Sequence, residues 1–568
     1  MTKGYKMNNN AALVVAAMTA ACAAVANAAY IPEPKPVKSE IEISAFYYPG
    51  TEHMPEWDMV DQTLPKIKPL LGWYDEGDPE NIDWQIKWAV EHGISSFCVD
   101  WYWKQGTQRL NHWIKAYYKA KFRKYLKWYI MYANHNPPGS HSTEDQIAVT
   151  KWWIDNYFKT PEYYTIDGKP VVVLWQYERL DNDFIAEAKA KGETLKRGEG
   201  VKRAFAISER MVKEAGLPGI CWINMNNRWK HTVEENDHIK NMGFVAQVTY
   251  NLGGSGPYYM APEARTEKDT PQRSSFDLMV AATKKIWQNA DVDPSLPFWP
   301  LLPTGWNDLP RSFQVARVTY DRTPEKFSRV CVDARKFCKE RGLKRVIVAP
   351  LNEWQEGSYI EPNEEYGFAM YDALRDAFCE KPAEGWPKNL TPADVGRPKK
   401  EYPPMFYSPV QEWNFDNSPE GWFRQPYGCY VTRCKEGSLY FVTTGKDNNY
   451  QIRQRLKPFA AKNYRTFKIR MKLIPNEHFG LGRFIACGKR PEMRLKWGLD
   501  HTPIISKDFF VDDRHVFYAE VIPDGEWHEY EMPLYKTPDW NSNVNELWFE
   551  AINATNFEVY IDWMRFEK

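Results

Sequence analysis

At 568 residues the chain exceeds what a single hydrophobic core supports, so two or three domains are expected. Its 74 basic and 74 acidic residues cancel, and they form neither the basic stripe of a nucleic-acid binder nor the charge block of a disordered tail. Aromatic residues make up 15%, with 25 Trp and 33 Tyr, a content that serves a large core and equally a surface that stacks on sugar rings.

The N-terminus has the order of an export signal. Lys3 and Lys6 give a positive start, Ala11 to Val25 is apolar but short, and Ala26-Asn27-Ala28 is an A-x-A cleavage pattern. Residues 1–28 are therefore expected to be a signal peptide, with a secreted or periplasmic mature chain. The competing reading, a lipid anchor on Cys22, has Thr19 against it as the start of a lipobox. No later stretch approaches the roughly 20 apolar residues of a membrane-spanning helix.

An extended leader, 29–40, carries Pro32, Pro34 and Pro36. Strand-like and helix-like segments then alternate. The strands are expected at Ile41–Tyr48, Ile94–Trp101, Leu126–Tyr132, Pro170–Trp175, Gly219–Asn224, Phe244–Tyr250, Phe298–Pro303 and Arg345–Leu351. Helical periodicity separates most of them, as in Val201–Ala215 stopped by Gly216 and Pro324–Arg341 stopped by Gly342. Eight short apolar strands, each followed by a helix or a long excursion, predict a parallel (β/α)8 barrel over 41–380. A doubly wound open sheet is the alternative, but no G-x-G-x-x-G follows the first strand.

From 381 to 404 the chain is polar and Pro-rich and reads as a linker. Beyond it, 405–568 holds short strands at turn-separated spacing, including Leu439–Thr443, Phe467–Leu473, Trp527–Met532 and Phe557–Trp563, which predict an antiparallel β-sandwich. The nine cysteines form no CxxC pair, so a zinc cluster is not expected; Cys429 and Cys434 are a candidate disulfide pair in an exported chain, which their spacing leaves open.

In such a barrel the active site lies at the C-terminal ends of the strands. The strands release, in order, Tyr48; Asp100 and Trp101; His135; Trp175; Asn224; Tyr250; Trp306; and Asn352-Glu353-Trp354-Gln355-Glu356. Amides and carboxylates bond sugar hydroxyls, and aromatic faces cover pyranose C–H faces. Each has a plain alternative: Trp101, Trp175 and Trp306 serve equally as core, Asn224 as a loop tie, Asp100 as a structural acid at the mouth, and His135 as a loop cap. Glu353 and Glu356, three residues apart after a buried strand, supply the two carboxyl groups that glycosidic chemistry requires. No histidine–acid cluster suggests a metal, no cofactor is expected, and no G-x-S-x-G signals a serine hydrolase.

Leu351 to Ser358, Leu-Asn-Glu-Trp-Gln-Glu-Gly-Ser, resembles the Asn-Glu-Trp-His-Glu-Gly-Thr motif of glycoside hydrolase family 99, with Gln355 in place of His and Ser358 in place of Thr. The stretch from Tyr47-Tyr48-Pro49 to Trp103 is similar to the related WbsX-type proteins. The resemblance covers Ile41 to Cys379. It implies a retaining glycoside hydrolase of α-linked mannose- or rhamnose-configured poly- or oligosaccharide, with a 1,2-anhydro sugar intermediate. Glu353 would be the base for the sugar's 2-hydroxyl and Glu356 the general acid. A WbsX-like glycosyltransferase and a non-catalytic glycan-binding protein are the alternatives. The C-terminal module, through Gly525-Glu526-Trp527-His528 and Tyr560-Ile561-Asp562-Trp563, resembles carbohydrate-binding accessory domains.

Overall fold

A computed structural model describes residues 31–50, 57, 60, 64–226, 232–291, 293–310, 316–397, 412–416, 419–420, 422–424, 433–443, 451–475, 490–499, 515–541 and 543–568. Residues 1–28, expected as a signal peptide, with Cys22, and also Cys429, lie outside the described residues, as do residues 398–404 of the Pro-rich stretch.

Eight parallel strands form the first domain: β1 Glu42–Tyr47, β2 Ile94–Lys104, β3 Lys127–Tyr132, β4 Lys169–Leu174, β5 Cys221–Met225, β6 Ala246–Val248, β7 Leu301–Pro303 and β8 Arg345–Ala349. They pair in the order β7-β8-β1-β2-β3-β4-β5-β6. The ring closes between β6 and the approach to β7, where Gln247 bridges Phe298 in parallel and exchanges backbone bonds with Pro297 (2.8 Å) and Trp299 (2.9 Å). The expected (β/α)8 barrel is therefore the observed one.

Most strands are shorter than the apolar runs that marked them: β6 and β8 drop residues at their C-terminal ends, which lead into the mouth, whereas β5 and β7 drop the first residues of their runs. β2 differs in the other direction: it continues to Lys104 and folds back on Thr107–Arg109.

The helices outside are α1 Pro79–Val90, α2 His112–Tyr117, α3 Thr143–Trp153, α4 Tyr177–Ala190, α5 Glu199–Glu214, α6 Val233–Met242, α7 Phe276–Ala290, α8 Pro324–Arg341 and α9 Ala369–Phe378. Their starts follow local chemistry. Asp78, Ser142, Thr232, Ser275 and Thr323 each cap a helix by accepting a backbone N–H with the side chain. Among the described residues no helix is long and apolar enough to cross a membrane.

The alternation of side chains along the strands sorts the barrel. Ser44 and Phe46 of β1 pair with Ser96 and Cys98 of β2, and the two serine hydroxyls meet inside at 2.6 Å. The same parity sends Asp100 inward and Trp101 outward. The start of the Pro-rich stretch is tied to the barrel rather than free of it: Trp88 Nε1 donates to the Leu390 carbonyl (2.8 Å) and Asn389 Nδ2 to Asp372 (3.1 Å).

The C-terminal region forms two antiparallel sheets around its own core. In one, the order is Arg433–Lys435, β9 Ser438–Val442, then Phe557–Glu567, Thr466–Pro475 and Trp527–Met532, with Glu412–Trp413 at the side of Phe557–Glu567. The other runs Phe423–Arg424, Gln451–Ala460, Asn543–Glu550, Glu492–Leu499 and Val516–Glu520. Inward residues from both, among them Trp413, Phe467, Trp497, Leu547 and Ile561, fill the space between them. On the outer face of the first sheet Tyr440, Tyr560, Lys472 and Trp527 fall in one cross-strand row, with the Lys472 ammonium 4.7 Å from the Tyr560 ring and 5.0 Å from that of Trp527.

Candidate active site

β8 ends in a tight hairpin. Asn352–Glu353 pairs antiparallel with Ser358–Tyr359 across a single helical turn, Trp354–Glu356. Gly357 closes the turn at φ +58°, a left-handed conformation that a side chain disfavours. A Cβ there would also sit 2.8 Å from the Asn307 backbone nitrogen, which donates to the Glu356 carbonyl at 2.5 Å. The Glu-x-x-Glu-Gly spacing thus encodes a fold-back that keeps Glu353 and Glu356 at one strand end, each with about a twentieth of its surface exposed.

Across the mouth, Tyr250 follows β6 and reaches inward. Its hydroxyl donates to Glu353 Oε2 at 2.8 Å and lies 3.2 Å from Asp100 Oδ2. Burial, then the charges of Asp100, Glu353 and Glu356, push the Tyr250 phenol well above its ordinary range. All three carboxyl groups are thus close enough to act on one phenol. Burial, and after it the Glu353 charge, push the Asp100 carboxyl well up, which favours its protonated form. The Tyr250 hydroxyl, with one hydrogen, thus stands between two carboxyl groups, closer to Glu353 than to Asp100.

One wall of the mouth is aromatic. Trp175 meets Tyr250 edge-on at 5.3 Å, His135 lies 5.4 Å from Trp175, and Tyr102 lies 5.8 Å from His135. Local desolvation, then the charge of Arg179, lower the His135 imidazole, which favours its neutral form. At Trp175 this wall turns into a cleft of about 810 Å³ beside the carboxyl cluster. Amides face it from the segments after β3, β4 and β5, from β5 itself and from α4: Asn136, Gln176, Asn226, Asn224 and Asn182. On the opposite side Trp306 lies half-buried against Gly253, where an added Cβ would come within 2.0 Å of the indole.

The remaining expected residues play other parts. Asn352 holds the Tyr48 backbone from both sides, accepting from its N–H at 2.9 Å and donating to its carbonyl at 3.0 Å. Trp354 is buried, stacked on Tyr359 at 4.4 Å. Asn224 donates to Gln247 Oε1 at 3.3 Å from the edge of the cleft. Trp101 is corrected as a sugar platform: it points to the helix layer, packed among Trp103, Tyr132, Trp153 and Tyr157, because its neighbour Asp100 takes the inward position. Glu76 and Glu361, buried beneath the hairpin, were not anticipated, since each is contributed from far along the chain. Among the described residues no group of three or more His, Cys, Asp or Glu is placed to hold a metal ion.

Residues 58–374, more than half of the chain, match the family model described as Glycosyltransferase WbsX. The chain belongs to the WbsX family. Asp100, Tyr250, Glu353 and Glu356 all fall within the WbsX match. A relative from Xanthomonas campestris pv. campestris (strain B100), named only as uncharacterized protein WxcX, is 23% identical over 395 residues, 63% of this chain and 53% of that protein. The chain spans about half the length of the curated relatives it matches. Two structures of the GH99 endo-α-mannosidase from Bacteroides thetaiotaomicron are 18% and 19% identical, each covering 59% of this chain and 98% of that one, with TM-scores of 0.39 and 0.38. A family 11 carbohydrate-binding module from Clostridium thermocellum is 14% identical, covering 28% of this chain and 97% of that one, at a TM-score of 0.19.

Proposed function

We propose that this protein is an exported retaining glycoside hydrolase that cleaves α-linked mannose- or rhamnose-configured polysaccharide. The observation that carries the reading is the meeting of Glu353 and Asp100 at the Tyr250 hydroxyl, with Glu356 in the single turn that follows Glu353 at the barrel mouth. Glycosidic cleavage needs one group to move a proton and one to activate an attacking oxygen at the same anomeric carbon. The adjoining cleft, amide-lined and within the roughly 300–1,000 Å³ of ordinary ligand sites, supports an oligosaccharide as the occupant. The N-terminal pattern of Lys3, Lys6, the Ala-rich run and Ala26-Asn27-Ala28 supports export.

In the proposed reaction Glu353 removes the proton of the sugar 2-hydroxyl. The resulting alkoxide attacks the anomeric carbon as the glycosidic bond breaks, and Glu356 donates its proton to the leaving oxygen. In the second half Glu356 takes a proton from water, the water oxygen opens the 1,2-anhydro ring at the anomeric carbon, and Glu353 returns its proton to the 2-oxygen. Two displacements restore the starting configuration. The geometry requires a 2-oxygen opposite the leaving group, which α-mannosides and α-rhamnosides provide.

The test is to incubate the purified protein with α-mannans and rhamnose-containing glycans and follow the product anomer by NMR. Retained configuration is expected. An inverted product would overturn the anhydro-sugar route, and glycan binding without turnover, unchanged in E353Q and E356Q, would make the barrel a binding protein. The family's description favours a second reading, transfer of a sugar to an acceptor. Turnover of a sugar-nucleotide donor with no cleavage of polysaccharide would establish it.

A further inference from the structure

Asn352 and Trp354, the chain neighbours of Glu353, are joined beneath the hairpin by an unbroken run of hydrogen bonds that the reaction above does not use. Asn352 Nδ2 donates to Glu76 Oε1 at 3.1 Å. Tyr47 Oη lies 3.2 Å from that oxygen and 2.9 Å from Oε1 of Gln85. Gln85 Nε2 lies 2.9 Å from Glu361 Oε1, Tyr74 Oη donates to Glu361 Oε2 at 2.7 Å, and Trp354 Nε1 donates to Tyr74 Oη at 3.3 Å. His112 Nε2 stands 3.3 Å from the other Glu76 oxygen. Tyr47, Tyr74, Glu76, Gln85 and Glu361 each expose 1% of their surface or less.

Counting hydrogens limits the charge this run can hold. Tyr47 has one hydrogen and two neighbours that want it. If it donates to Glu76, its own oxygen needs a donor, so the Gln85 amide turns its nitrogen to Tyr47 and its oxygen to Glu361. Only a protonated Glu361 then fills the last contact. If Tyr47 donates to Gln85 instead, the amide nitrogen serves an ionised Glu361, and Glu76 must carry a proton to fill its contact with Tyr47. Two ionised carboxylates leave one O···O contact without a hydrogen and place two like charges in an unhydrated interior. Each complete pattern has one acid and one carboxylate.

We propose that Glu76 and Glu361 are positioning residues that share one proton, resident on Glu361, and through Asn352 and Trp354 fix the segment that carries Glu353. Residence on Glu361 follows from its surroundings: fully buried, it faces Glu76, Tyr47, Tyr371 and the donor Tyr74, while Asn352 donates to Glu76 and the His112 ring stands beside the other Glu76 oxygen. Burial, the largest cause, pushes Glu361 from 4.5 up to about 7. The effect on turnover rests on the glycosidase reading; the proton itself is read without substrate.

The sign of the pH effect follows from linkage. A carboxyl raised from 4.5 to about 7 on folding contributes stability that is whole below pH 4.5 and is lost as pH climbs to about 7. E361Q has the shape and donor of the protonated acid and lacks that slope. Comparing the full chain with E361Q by urea unfolding from pH 4.5 to 8, the wild-type unfolding constant is expected to rise relative to the variant by about two powers of ten. E361A is expected to lower kcat with little change in KM, and E361Q to restore it. Parallel unfolding curves, or E361Q as damaging as E361A, would overturn the proposal. Independently of variant folding, wild-type infrared spectra should show carboxylic-acid C=O intensity lost near pH 7, and an acid band constant from pH 5 to 9 would overturn it. Diverging unfolding curves in a protein that cleaves no glycan would leave the shared proton standing and remove the glycosidase reading.

Discussion

Tyr250 Oη stands 2.8 Å from Oε2 of Glu353, and its one hydrogen is the link between Glu353 and the acid behind it. A buried carboxylate that loses such a donor is left with its desolvation uncompensated, a loss of about 1.5–3 kcal/mol for a bond to a charged group. Y250F is therefore expected to lower kcat/KM by roughly 10- to 100-fold on that same scale. It should also move the acid limb of the pH–rate profile upward, because a carboxylate stripped of a donor binds its proton more tightly. A profile of kcat/KM against pH checks both, and an unmoved acid limb would mean that Tyr250 does not bond the reacting form of Glu353.

Asp100 gives a prediction of opposite character. Its carboxyl is pushed up by burial first and by the Glu353 charge second, toward the neutral form that an amide resembles. D100N should stay within an order of magnitude of wild-type activity, whereas D100A removes one of the two carboxyl partners of the buried Tyr250 hydroxyl at a cost of about 1–3 kcal/mol. The stability sign follows the raised pKa: Asp100 contributes fully below its unfolded value and loses that contribution as pH rises, so D100N should gain on wild type with increasing pH. Thermal unfolding of both proteins across pH 4 to 8 tests this, and a wild-type advantage that grows with pH would show Asp100 ionised in the folded state.

The two glutamates separate by leaving group. If Glu356 protonates the departing oxygen, E356Q should lose most of its activity on a natural glycan and regain much of it on an aryl glycoside whose leaving group needs no proton. E353Q should be inactive on both, since no alkoxide forms. Equal rescue of the two variants would reverse or remove the assignment.

The barrel was legible because each strand is a short apolar run closed by turn residues, whereas the hairpin that joins Glu353 to Ser358 is a finding of the structure. Strand ends were less so. Phe244 to Tyr250 reads as one continuous run, yet only Ala246–Val248 stays in the ladder, and the rest of the run brings Tyr250 to Glu353. The error at Trp101 was avoidable. Successive side chains on a strand face opposite ways, so Asp100 and Trp101 were never both available to the mouth. In the sandwich, Gln451–Ala460 is hard to read because polar side chains sit at inward positions, with Arg453 fully buried 3.6 Å from Glu546, whereas Glu492–Leu499 alternates regularly and places Met493, Leu495 and Trp497 in the core. Glu76 and Glu361 could not be read from spacing at all. Gln85 and Glu361 are 276 positions apart, and only the closed ring brings them together.

That contrast between inward and outward positions makes a last prediction. Trp101 is 1% exposed and touches four aromatic neighbours, so W101A opens a cavity in the layer between strands and helices. A loss of about 3–5 kcal/mol is expected, as for other buried aromatic truncations. Trp175 is half-exposed and lies between Tyr250 and the cleft. W175A should cost less stability than W101A and should weaken KM for long glycans more than for a small aryl glycoside, because the lost surface faces the chain rather than the reacting bond. Chemical unfolding and a substrate-length series on the two variants check the pair. An effect of W175A confined to stability, or a length-dependent KM effect in W101A, would place the sugar-facing wall on the other side of β2.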